Sequence, residues 1–353
     1  MEMDGTPPLP SDTGYWFPEA NYDGPLGHAP IGVMADHTHM KGHWMLSARY
    51  MYMAMDDLAD GTSKLSSSQV TSPTGGYDYL VAPTRMTTQM LMLGAMYAPI
   101  EKLTLMLMLP YVWKDMQHVV GEQAMPAMRG REFTTRTNGV GDLSLTAMVP
   151  VVHTATQRLL VNLGFSFPTG SIDETDNTPM LPKTHLPYPM QLGSGSFELR
   201  PSLSYRHLVW SHVDFGVQGS AKIRLNENAN DYRLGEEYEV TAWAAVDLSR
   251  KMSASFRLAW QQRFNIHGRD KKIVERTPPM MGSIKIVPTA FPDNQGFRRL
   301  YGFWGVNLQG RADDGFLKGF RIAAEVGIPF WQSLDGPQLR DQFMAVVGVQ
   351  YAF

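Results

Sequence analysis

Methionine offers more chemistry than any other residue in this sequence, because it recurs at every second position in separate stretches. Met51, Met53 and Met55 alternate in one stretch, Met90 and Met92 in a second with Met96 close behind, and Met106 and Met108 in a third. Met45 and Met148 hold the matching face of their own stretches. A thioether is a soft, uncharged donor, so two or three converging sulfurs can hold Cu(I) or Ag(I) with no proton to lose. Upstream, Met34-Ala35-Asp36-His37-Thr38-His39-Met40, followed by His43, mixes imidazole with thioether, which suits copper in either oxidation state. Two plainer readings stand beside this one. Methionine also fills irregular gaps, and a greasy wall of it could line a passage for an apolar solute. His37 and His39 could equally sit on a solvated arm and bind no metal.

Period two is the mark of a strand with two unlike faces. In residues 103–113 the odd positions are Leu, Leu, Leu, Leu, Tyr and Trp, while the even ones include Thr104, Met106 and Met108. The same alternation runs through 42–56, 86–98, 140–152, 158–168, 197–206, 213–225, 237–249, 252–264, 299–310, 319–330 and 342–353. That makes about twelve strands, an even number in the range of outer-membrane barrels. Short links (98–102, 153–157, 207–212, 249–251, 311–318) alternate with mostly longer ones (57–85, 115–139, 169–196, 226–236, 265–298, 331–341), as expected when turns lie on one side of a membrane and loops on the other. A soluble β-sandwich would share the alternation but not this loop rhythm. The expected fold is all-β: a transmembrane antiparallel up-and-down barrel over residues 42–353. An extended arm or plug, rich in Pro, Gly, Asp and His, precedes it over 1–41.

Bulk properties narrow the alternatives. The chain has 353 residues and no run of 18 apolar ones, so membrane-spanning helices are excluded. Cysteine is absent, as in many proteins exported to oxidising compartments without disulfides. A net charge of -3 gives no basic footprint for nucleic acid. The start, Met1-Glu2-Met3-Asp4-Gly5, has neither a basic nor an apolar leader region, so an exported form is expected to have had its signal peptide removed or replaced. No nucleophile and base converge on the outward faces, and no phosphate cradle appears, so catalysis is not expected.

If the large apolar side chains face lipid, the methionines face the lumen. Charge in the later strands agrees, because a lipid-facing Arg or Lys at the midplane costs about 2–4 kcal/mol. Arg49, Glu198, Arg200, Arg206, Lys222, Arg224, Arg257, Arg263, Arg321 and Glu325 must therefore point inward, with Glu239 and Asp247. Across a narrow lumen they either satisfy one another or form a constriction that screens permeants. Trp44, Tyr97, Tyr111, Trp113, Phe165, Phe167, Tyr238, Trp260 and Phe330 cluster at segment ends as candidate interfacial girdles.

Three motifs carry a family resemblance. Gly139-Val140-Gly141-Asp142-Leu143 opens one strand and Phe167-Pro168-Thr169-Gly170 closes the next. Gly193-Ser194-Gly195-Ser196-Phe197-Glu198-Leu199-Arg200-Pro201 opens the strand after that. With these, the chain from residue 42 onward resembles the outer-membrane family of the MetA pathway of phenol degradation. The terminal Phe353, with Tyr351 and Gly348 before it, resembles the insertion signal of outer-membrane proteins, although Val346 stands where a polar residue is usual. The resemblance implies a bacterial outer-membrane barrel that passes or binds small, often hydrophobic molecules, and no catalytic residues.

The first third departs from that pattern in its Met and His density. The expectation is thus a barrel in contact with outer-membrane lipid that binds or conducts copper in export or tolerance, with copper as the one candidate cofactor. A channel for small aromatic solutes is the rival. A structural barrel that docks a periplasmic protein through residues 1–41 is the third reading.

Overall fold

A strand with two unlike faces must bury one and expose the other, and a computed structural model of the chain shows which is which. The structure describes residues 25–210, 212–310 and 318–353. The wall begins with β1 (Trp44–Gly61), which passes through the short β2 (Ser63–Leu65) and helix α1 (Ser67–Thr71) into β3 (Val81–Ile100) and β4 (Leu103–Val120). Next come β5 (Glu132–Val140) and β6 (Leu143–His153), which pair with successive parts of β4 and so form one stave broken at Gly141-Asp142. β7 (Gln157–Phe167) follows, and the small pair β8 (Thr175–Asp176) and β9 (Thr184–His185) lies in the next loop. The wall resumes with β10 (Glu198–Trp210) and β11 (Val213–Arg224), then β13 (Glu237–Ser249), β14 (Met252–Arg263), β16 (Phe297–Gln309) and β17 (Phe320–Ala352). A second loop pair, β12 (Tyr232–Arg233) with β15 (His267–Gly268), sits above them.

Eleven of these elements close a ring of antiparallel neighbours, with β17 returning to β1. β17 is itself a hairpin. Its first part pairs with β16 (Arg321 opposite Gln309) and its second with β1 (Ala352 opposite Met45), in opposite chain directions. The two arms lie side by side, since the Ala352 amide donates to the Gly319 carbonyl and Gln332 bonds to the backbone of Asp341. Counted as two staves, it brings the wall to the expected twelve. The reversal falls at Asp335-Gly336, where Gly336 takes a positive φ of 75° and a Cβ would strike the Asn294 side chain.

The strands outrun the expected spans at one end. Residues 331–341, expected to be a loop, are continuous strand and tight turn. Met116 and His118, expected in a loop, lie within β4. Because the short turns gather at the other end, the overhanging strand ends and long loops form one thick rim. Its interior is a lid in which Leu80, Val81, Val120, Tyr188, Tyr232 and Val287 pack together, beside a second cluster of Leu58, Val70, Met86, Met116, Leu186 and Met190. Outward positions such as Leu93, Leu145, Leu203, Val240, Ile322 and Val326 are exposed and apolar, a belt suited to hydrocarbon.

Candidate functional site

The lumen is occupied by the chain's own arm. Leu26, Ala29, Ile31, Val33, Ala35, Asp36 and His37 are all buried within the wall near the short-turn end. Beyond the 3-10 turn at Pro25–Gly27 and one internal bond from the Val33 amide to the Pro30 carbonyl, the arm has few bonds of its own, so most of its carbonyls must be satisfied from outside, and the inward-facing cations contribute this. Arg206 donates to the carbonyls of Leu26 and Gly27, at 2.5 and 3.0 Å. Arg321 reaches Ala29 at 2.7 Å and Arg49 reaches Ile31 at 3.0 Å. Gln218 holds Met34 at 2.8 Å and Asn162 holds Ala35 at 2.9 Å. On the opposite side the Gly32 amide donates to Glu325 at 3.0 Å, and Glu325 is in turn gripped by Arg257 through two bonds of 2.8 and 2.9 Å. Arg49, Arg206 and Arg321 therefore do not line an open constriction; they hold a plug.

The expected docking surface over residues 1–41 changes accordingly. Residues 26–37 are largely enclosed, and 1–24 lie outside the described residues.

Strand register brings the methionines together in rows. Met45 faces Met96, which on its other side faces Met106, and on the next stave Met148 lies opposite Thr104. Met51 faces Met90, while Met55, Met86 and Met116 form a further row across three strands. Met45, Met96, Met106, Met108 and Met148 are buried in one cluster with Ala35, and Met34 and Met92 pack against it. Met51, Met53, Met55 and Met90 are half-buried. Met34 already accepts a hydrogen bond from Arg49 at its sulfur. Met40 is half-buried and His43 is exposed at the short-turn end, so neither belongs to the buried core of the arm.

The arm makes a second cluster of its own. His37 Nδ1 lies 2.8 Å from Asp36 Oδ1 and 3.4 Å from His28 Nδ1. Asp36 also accepts from the Ala29 amide at 2.7 Å, which folds the arm back on itself. The His37 and His39 rings stand edge to face with centroids 5.0 Å apart. Burial lowers the pKa of His28 well below its ordinary value and that of His39 to about 3, so both rings are neutral and carry lone pairs.

Of the remaining charged positions, Asp247 lies near the short-turn end, and the others lie toward the lid, where most pair with one another. Glu198 pairs with Arg200 at 2.6 Å and Arg224 at 3.0 Å, and Glu237 with Lys222 at 2.7 Å and Arg224 at 3.0 Å. Arg263 donates to the Gln295 carbonyl. A cavity of about 120 Å³ lies here, lined by Lys222, Glu237, Glu239, Gln261 and Phe297 among others.

Several participants escaped sequence reasoning. His28 lies nine residues before its partner in an aperiodic segment, and Asp36 was visible only as a member of the His/Met motif. Asn162 and Gln218 share the inward parity of the charged residues, a signal that could have found them. Arg299 pairs with Asp341 at 2.8 Å, but Asp341 fell in a stretch expected to be a loop.

The three glycine-bearing motifs converge on one stave junction. Asp142 accepts from the Gly170 amide at 2.9 Å, the Ser194 amide at 2.7 Å and the Ser194 hydroxyl at 2.8 Å. Gly170 and Gly193 approach so closely that a Cβ on Gly170 would lie 2.7 Å from the Gly193 Cα.

The sequence model of the family described as "Putative MetA-pathway of phenol degradation" matches residues 73–271. No curated protein matches the sequence. Among solved structures, an outer membrane channel from Pseudomonas putida F1 superposes with a TM-score of 0.57 at 15% identity, covering 91% of this chain and 98% of that one. The transport unit of the autotransporter AIDA-I from Escherichia coli gives 0.45 at 10% identity, with 91% and 93% covered.

Proposed function

Since this chain belongs to the family of the MetA pathway of phenol degradation, we propose that it is an outer-membrane channel, closed by its own arm, whose methionine wall binds copper as Cu(I) in export or tolerance of the metal. The observation that carries the reading is the continuity of inward methionine from β1 through β3 and β4 to β6, in rows whose members face one another across the strands. Same-face neighbours on adjacent strands stand about 5 Å apart at Cβ, within reach of thioethers that share one soft ion. Gap-filling alone does not call for one residue type on four successive staves, because Leu or Ile would fill the same volume.

The test replaces Met51, Met53, Met90 and Met106 together by Leu, a swap that conserves volume and costs less than about 1.5 kcal/mol per site. Purified wild-type barrel is expected to bind Ag(I), used as a stable stand-in for Cu(I), and the variant to lose at least about tenfold in affinity. Unchanged Ag(I) titration by calorimetry would sink the reading.

One observation favours a second reading, passage of small aromatic solutes. Among the described residues of the strand walls, inward cationic side chains outnumber inward anionic ones, a field that suits phenolates and carboxylates better than free metal cations. Family membership points the same way. On that reading the same Leu variant would keep or improve uptake of an aromatic acid into liposomes while Ag(I) binding is beside the point.

A further inference from the structure

We propose that His28, Asp36 and His37 form a divalent transition-metal site within the plug, and that the bound ion fastens the plug in the lumen. The inference rests on the plugged-channel reading but not on the methionine wall, since its donors are nitrogen and oxygen and come from the arm alone.

The geometry suits an ion. One ligand atom from each of the three residues lies within 4.8 Å of the others. The 3.4 Å between His28 Nδ1 and His37 Nδ1 matches the edge of a tetrahedron whose metal–nitrogen bonds are about 2.0–2.1 Å long. As a hydrogen bond that contact is poor, because Asp36 at 2.8 Å already competes for the Nδ1 proton of His37. An ion set between the two rings would replace a strained contact by two bonds, with Asp36 as third ligand.

The site is enclosed. His37 is only 5% exposed, and its Nε2, like that of His39, is buried with no hydrogen-bond partner. The Nε2 of His37 lies on the far edge of the ring from the Nδ1 that faces His28 and Asp36, so it carries the ring's proton when Nδ1 binds the ion. Two imidazoles and one carboxylate suit Zn(II) or Cu(II), and Cu(II) binds such sets more tightly.

The position of the site gives the ion its role. His28 and His37 bracket the segment whose carbonyls at Ala29, Ile31, Met34 and Ala35 are held by the wall. Joining its ends through a metal closes that loop and removes the chain entropy released when the arm leaves. The ion is therefore expected to shift the balance between seated and withdrawn plug toward the seated state.

The test uses the full chain in detergent and in planar bilayers. With one equivalent of Cu(II), the wild type should give an electron paramagnetic resonance spectrum with nitrogen couplings, and the frequency of channel opening should fall at least fivefold. The double variant His28→Ala with His37→Ala should weaken Cu(II) binding at least tenfold and open equally often with and without the metal. Asp36→Asn should weaken binding by a smaller factor, and heat-modifiable migration on gels confirms that each variant is folded. Unchanged Cu(II) binding in the folded double variant would overturn the site. A wild type that binds Cu(II) there but opens no less often would overturn the fastening. Ag(I) titration of the same double variant separates this proposal from the methionine reading. Loss of Cu(II) with Ag(I) binding kept would support the plug site, whichever way the methionine variant behaves.

Discussion

Gly32 shows how finely the plug is fitted. A Cβ at this position would lie 2.3 Å from Glu325 Oε2 and 2.4 Å from Arg257 Nη2, and those two groups form a buried, doubly bonded ion pair. Neither can retreat without leaving the other unpaired in the wall, which is the expensive way to break a buried pair. The arm is then the part that moves. Gly32→Val is expected to cost the seated plug about 1–3 kcal/mol, which raises the withdrawn fraction roughly 5- to 150-fold. Single-channel recording should show this as more frequent opening, with barrel stability on gels unchanged. Unaltered opening would mean that the contact at Gly32 does not set the position of the arm.

At the scale of elements, the junction around Asp142 explains why three short glycine motifs travel together. Asp142 sits at the break between β5 and β6, and it ties that break to the end of β7 through Gly170 and to the approach of β10 through Ser194. Thr169 adds a bridge, accepting from the Leu143 amide and donating to the Gly141 carbonyl. Asp142→Ala leaves the Gly170 and Ser194 amides without their acceptor, so the variant is expected to lose about 1.5–3 kcal/mol of barrel stability. Urea unfolding in detergent micelles would register this as a lower midpoint with an unchanged slope, and a midpoint equal to wild type would refute the role.

Strand reading from the sequence was strong where one face meets lipid, because the penalty for a misplaced charge enforces period two. It weakened where the strands rise past the belt. At 331–341 both faces meet protein or water, so Gln332, Asp335, Gln338 and Asp341 hide a strand in loop-like composition. The arm was less legible still. Its bonds run from backbone carbonyls to wall guanidiniums, and carbonyls leave no trace in residue types. The inward parity of Arg49, Arg206 and Arg321 was readable, whereas their partners were not.

The whole molecule is a closed tube whose charge can be read through the plug. Among the described residues near the short-turn end, Arg49, Arg158, Arg206, Arg257 and Arg321 face inward against Asp214, Asp247 and Glu325. Toward the lid Lys114, Arg200, Lys222, Arg224, Arg263 and Arg299 outnumber Glu198, Glu237, Glu239 and Asp341 in the same way. While the arm is seated, its carbonyls absorb several of these cations, and the field has no permeant to act on. Deleting residues 1–41 removes those carbonyls and, among the described residues, one buried carboxylate, Asp36, and it leaves every wall hydrogen bond between strands intact. The truncated barrel is therefore expected to fold, because water entering the lumen can solvate the freed guanidiniums at little cost. It should carry a steadier current than the full chain and prefer anions. In a KCl gradient of about tenfold, its reversal potential should move toward that of chloride. If the truncated barrel folds but stays as closed as the full chain, the lid and not the arm is the barrier. A shift toward potassium would mean that the unpaired carboxylates, not the guanidiniums, govern the open path.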